Sequence, residues 1–217
     1  AASATTVVDP LPYSLSYTLT GNYAVASVDF PPKSNSTGFQ TEVVSMRNAA
    51  AADQRVVPAG ATIVAAFLYW ETIWRNPSEI VGAKFRGQPL TLVRAVDTTL
   101  AGPYSPCWSN GGNTLTMMRA DVLPLLALEL DTAGNPTGRR LVNDVDLQAA
   151  GESLNTVTLP EAGTGNRTPQ SAGASLLVIY QDPSNTAPLR RIVVYDGAHL
   201  MAPRETVSQR LRGFLQA

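Results

Sequence analysis

From Tyr13 to Thr20 apolar and polar residues alternate strictly: Tyr13, Leu15, Tyr17 and Leu19 are interleaved with Ser14, Ser16, Thr18 and Thr20. A period of two cannot keep one face of a helix apolar, but it is what a strand with one face on a core requires. Gly21-Asn22 follows, and then Tyr23, Val25, Val28 and Phe30. Two such runs across a Gly-Asn pair predict a tight hairpin. Pro31-Pro32 ends regular pairing behind it.

Two further runs are apolar on both faces. ATIVAAFLYWET, from Ala61 to Thr72, is launched by Pro58-Ala59-Gly60; Ala174 to Tyr180 is ended by Asp182-Pro183. Short, bounded and almost continuously apolar, they read as central strands covered on both sides. Shorter strands are expected over Gln40 to Met46, Ile80 to Arg86, Gln88 to Val96, Asn113 to Met118, Leu154 to Leu159 and Leu189 to Tyr195. Arg119 to Leu130 reads as a short helix, with Asp121 as its cap and Pro124 in its first turn. The tail from Thr206 to Leu215 fits a helical stripe or a strand.

Many short strands between Gly/Pro/Asn turns, with no alternation of strand and long helix, give the fold class. It is all-β: an antiparallel β-sandwich of jelly-roll type, with long loops and at most one or two short helices. No linker or composition shift divides residues 1–217, so a single domain is expected. At 44% hydrophobic and 15% charged the chain has ample material for a core. A net charge of -1 with no basic patch argues against nucleic acid as a partner. No apolar run approaches the ~20 residues that span a bilayer. The start, AASATTVV, fits the product of signal-peptide cleavage and suggests export.

Catalytic chemistry finds little purchase. His199 is the only histidine, so a Ser-His-Asp machine would have to use it. The nearest nucleophile pattern is Ser175, but Leu176 follows where an elbow needs a small residue. Cys107 is the only cysteine, which excludes an internal disulfide; it reads as a small buried hydrophobe, a bridge to another chain or a reactive thiol. One Cys and one His do not make a zinc site. Calcium needs only oxygen, and Asn143, Asp144 and Asp146 offer alternating donors on an extended segment, beside the simpler reading of a solvated turn. Trp74, Tyr104 and Trp108 lie near turn chemistry and are the candidates for stacking on a sugar. Scattered carboxylates, Glu71 and Glu161 among them, would serve a glycosidase only where two face each other across a cleft.

Several segments carry a resemblance: VPAGATIVAAFLYWET (Val57 to Thr72), VGAKFRGQPL (Val81 to Leu90), MRADV (Met118 to Val122) and GASLLVIYQDPSNTAPLRRIVVYDGAH (Gly173 to His199). Together they span roughly half of the chain. They resemble exported bacterial surface domains, adhesin-like in architecture, to which no function is assigned. The resemblance implies an antiparallel sandwich, a strand in the tail, and a place at the cell surface or outside the cell. It transfers no catalytic residue. Similar proteins continue past the Arg-Gly-Phe that ends at Phe214, which implies a processed fragment of a larger exported protein, its partner strands supplied by another chain.

The functional expectation is a non-catalytic surface module in adhesion or structural assembly, meeting other protein chains through strand edges and able to form homo-oligomers. A carbohydrate-binding module for surface glycans is the alternative, and a jelly-roll glycoside hydrolase the third.

Overall fold

The computed structural model describes residues 6–31, 38–47, 56–90, 98–100, 112–165, 167–184, 187–199, 201 and 204–214. Its strands are β1 (Thr6–Val8), β2 (Tyr13–Asp29), β3 (Gly38–Val43), β4 (Thr62–Trp74), β5 (Lys84–Phe85), β6 (Gln88–Pro89), β7 (Thr98–Leu100), β8 (Thr114–Asp121), β9 (Ala127–Leu130), β10 (Pro136–Leu141), β11 (Thr156–Glu161), β12 (Gly173–Gln181), β13 (Leu189–Tyr195) and β14 (Thr206–Ser208). One helix, α1 (Asp144–Ala149), lies between β10 and β11.

Two antiparallel sheets carry the architecture. The first has the order β13-β2-β12-β4-β8-β7 and the second β3-β11-β5-β6. From β2 to β5 each strand lies in the sheet opposite its predecessor, and β11 and β12 again lie in opposite sheets. If β2, β3, β4, β5, β6, β8, β11 and β12 are lettered B to I, the sheets read B-I-D-G and C-H-E-F, the jelly-roll arrangement.

The main core fills the space between these sheets. From the first come Ala24 and Ala26 of β2, Ala66, Leu68 and Trp70 of β4, Met118 and Ala120 of β8, and Leu176 and Val178 of β12. Register places Leu68 opposite both Leu176 and Ala120, so one row of side chains crosses the sheet. Phe85, Val157 and Leu159 face them from the second sheet. Leu68, Leu176 and Leu159 are fully buried; each is of the kind whose truncation to Ala costs ~2–5 kcal/mol.

The two apolar runs are apolar throughout because their other face is covered too. Ala65, Phe67 and Ile179 point away from the main core and form a second cluster with Ile192, Leu15, Tyr17 and Leu19. The amino-terminal half of β2 and its partner β13 therefore make a ribbon that lies across the outer face of the first sheet. β13 pairs with Tyr13–Thr20 of β2, and β12 with Gly21–Asp29.

This arrangement replaces the hairpin expected at Gly21-Asn22. The backbone stays extended from Tyr13 to Asp29 and turns a corner at Gly21 instead of folding back on itself. A Cβ on Gly21 would lie inside the van der Waals shell of the Tyr180 carbonyl oxygen, so only glycine admits the approach. Tyr13, the first member of the alternation, escapes burial at 57% exposed. It meets Tyr195 edge-on, with ring centroids 6.2 Å apart.

Two further expectations are corrected, and a third holds in part. Arg119 to Leu130 is not a helix: β8 runs to Asp121, a single 3-10 turn occupies Leu123–Leu125, and β9 follows. The Asp121 carboxylate accepts from the Leu123 N–H, a local bond that ends the strand. Ile80 to Arg86 contributes only two strand residues, behind a 3-10 turn at Pro77–Ile80. The strand implied for the tail is present, among the described residues over β14 alone, paired parallel to β1; Arg210 closes this pair by donating from its backbone N and Nε to the two oxygens of Asp9, both at 2.7 Å.

Candidate functional site

Three carboxylates separated in sequence meet at one end of the sandwich. Asp29 ends β2, Glu71 lies in the last third of β4 and Glu161 ends β11; all three line a cavity of about 310 Å³, together with Ile73, Leu115 and Gln170. A second depression of about 360 Å³ adjoins it, sharing Asp29 and Glu71 and extending over Ser27, Tyr69 and Ser175.

The loop that closes the cleft is tightly bonded. Ile73 and Gln170 exchange both backbone bonds, at 2.8 and 2.9 Å. The Gln170 amide donates to the carbonyls of Gly163 and Gly165 at 3.1 and 2.7 Å. The Ser171 hydroxyl lies 2.8 Å from that of Thr72 and 2.9 Å from the Pro160 carbonyl.

Glu161 is buried and accepts from the backbone N–H groups of Gly163 (3.0 Å) and Ser171 (3.1 Å). Burial pushes its carboxyl above the usual range, and those two N–H groups work against the shift. Its oxygens thus hold the loop. Asp29 is exposed and Glu71 half-buried. Among the described residues neither takes a hydrogen bond or ion pair, so both present acceptors to whatever enters.

The residues singled out by sequence fall elsewhere. Trp74 is half-buried, and its indole N–H donates to the Thr116 hydroxyl at 2.8 Å, so its ring is held against β8 and does not line the cleft. Tyr104 and Trp108, with Cys107, lie outside the described residues. Asn143, Asp144 and Asp146 lie at the start of a helix, not on an extended segment. Asn143 caps it, accepting from the Asp146 N–H at 2.8 Å. Asp144 accepts from the Ser45 hydroxyl and, at 3.2 Å, from the Met46 N–H. Asp146 accepts from the Asn143 amide at 2.8 Å and lies 3.7 Å from Arg139. Among the described residues no three His, Cys, Asp or Glu side chains form a metal-binding group. His199 pairs with Glu205 at 3.1 Å, while Ser175 is bonded to Ser27 at 2.8 Å.

A buried polar cluster fastens the ribbon to the sheet beneath it. Arg119 of β8 forms an ion pair with Asp196, just past β13, and donates to the Ser14 hydroxyl of β2 at 2.7 Å. Its guanidinium lies 5.3 Å from the centre of the Phe67 ring. The Tyr69 hydroxyl donates to Asp196 at 3.2 Å, and burial, with the Asp196 charge, pushes its pKa up to about 12.

Beside the ribbon lies the largest of these depressions, a groove of about 580 Å³. Its walls are β13 from Arg190 to Tyr195, the outer face of the sheet at Tyr23 and Leu177, and Phe214. Neither the groove nor the cleft was legible in the sequence, because only the jelly-roll crossings bring their residues together.

No protein-family model matches the chain, and no curated protein matches it. Among the described residues no helix is long and apolar enough to cross a membrane.

Proposed function

We propose that the chain is a non-catalytic surface module at the cell exterior, acting in adhesion or structural assembly through its strand edges. The outer edge of β13 supports this reading. Its seven residues form a ladder with β2 on one side and, among the described residues, with no strand on the other. Backbone N–H and C=O groups on such an edge are a template on which another chain adds a strand. Size-exclusion chromatography with light scattering over a range of concentrations tests it, alongside binding to cells and matrix. Self-association or retention is expected, and a strictly monomeric chain inert to both surfaces contradicts the reading.

The cleft favours a second reading, a carbohydrate-binding module. Asp29 and Glu71 offer carboxylate oxygens that take no bond among the described residues, beside the apolar walls of Ile73 and Leu115, a mixture suited to sugar hydroxyls and ring faces. A glycan array would report it, with hits that disappear in Glu71→Ala; an array without hits removes it.

A further inference from the structure

We propose that the groove beside β13 receives an extended segment of a partner chain carrying acidic side chains, added as a strand to the outer edge of β13. The inference rests on the assembly reading and names the chemistry of the partner.

Shape, edge and charge each contribute. The groove runs along β13 and is floored by Tyr23 and Leu177, with Phe214 at its side. Tyr23 is 42% and Phe214 54% exposed, so covering them would remove apolar surface from water. An added strand points alternate side chains to opposite sides, which lets one set meet this floor while the other follows the rim.

Arg190 and Arg191 stand at the groove, both exposed. Among the described residues neither forms an ion pair, whereas Arg86, Arg119, Arg139 and Arg210 all do. Among the described residues no carboxylate lines the groove. Asp182 is an acid whose field reaches Arg190, and its own oxygen accepts from the Ser184 N–H at 2.8 Å. Two guanidinium groups that form no ion pair among the described residues, beside an open strand edge, favour carboxylates, which arginine can hold bidentately. The same pair repels a lysine-bearing strand, which makes the edge selective.

The probes are three fluorescent extended peptides of equal length, alternating Val and Thr, with Asp, Ser or Lys at two central positions. Fluorescence anisotropy is read against the intact chain and against Arg190→Glu/Arg191→Glu, whose exposed side chains leave the melting temperature as a check on folding. The Asp peptide is expected to bind at least tenfold more tightly than the Ser peptide and the Lys peptide most weakly, with the order of Asp and Lys reversed in the double variant. Equal affinity of all three overturns the acidic preference while leaving strand addition standing. If no peptide binds, the inference falls; the assembly reading then survives only where light scattering still shows self-association, and falls with it where the chain is monomeric and inert.

Discussion

Removing the Asp196 carboxylate should loosen the ribbon from the sheet below it. The Arg119 and Asp196 side chains are only 13% and 10% exposed. Asp196→Ala therefore leaves a guanidinium buried without its counter-charge, a change that costs ~3–5 kcal/mol. Arg119 would retain the Ser14 hydroxyl at 2.7 Å and the face of Phe67, which places the loss at the lower end, about 3 kcal/mol. For a chain of this length that is a fall of roughly 6–12 °C in melting temperature, at ~2–4 °C per kcal/mol. Urea unfolding followed by tryptophan fluorescence and by circular dichroism measures it. The double variant Arg119→Met/Asp196→Ala removes the stranded charge and should recover part of the loss, since the cost arises from the unpaired ion. A loss below about 1 kcal/mol for Asp196→Ala, or a double variant that loses the sum of the two single changes, would refute the reasoning from buried charge.

Gly21→Ala should cost about 3 kcal/mol or more, because the added methyl meets the Tyr180 carbonyl; a urea midpoint within error of the parent would dispose of the corner. Tyr69 keeps its proton up to about pH 12 in the folded chain, whereas an unfolded tyrosine ionises near 10. Its contribution to stability is thus complete below pH 10 and lost between there and 12, and Tyr69→Phe should flatten that alkaline limb in pH-dependent melts. Glu129 behaves in the opposite sense: hydrogen bonds from Arg139 hold its pKa down to about 2, so its contribution is present above the ordinary value of 4.5 and lost as the pH falls toward 2. Glu129→Gln should weaken the acid limb, and an unchanged limb counts against the bridge. Asn143→Ala should cost about 1 kcal/mol through the lost cap of α1, and millimolar calcium should leave the melting temperature in place; a calcium-dependent rise abolished by Asp146→Asn would give these oxygens a metal to hold.

The sequence displayed the layers better than the corners. β4 and β12 were legible because both faces of each are covered, one by the main core and one by the ribbon, which makes their sequences apolar throughout. Gly21-Asn22 misled because a glycine that lets one strand turn over another's carbonyl looks the same as a glycine in a hairpin turn. Leu126, Leu128 and Leu130 alternate as a strand should, and that signal was overridden by Asp121 and Pro124, which serve a single 3-10 turn. The helix at Asp144 was announced by Asn143 and by Asp146 three residues on, a capping pattern that reads equally well as a row of metal ligands. The cleft was invisible for a different reason: Asp29, Glu71 and Glu161 belong to strands that meet only after the chain has crossed between sheets.

Backbone amide hydrogen exchange in dilute solution, resolved residue by residue by NMR, bears most directly on the strand edge from which the function is argued. Strand β12 lies between β2 and β4, so its amides should be protected without a break. Among the described residues strand β13 pairs with β2 alone, so protection there should alternate, slow for amides turned toward β2 and fast for those turned outward. Continuous protection from Leu189 to Tyr195 in the monomeric chain would mean that the edge is already covered, and the proposed mode of assembly would have no surface on which to act.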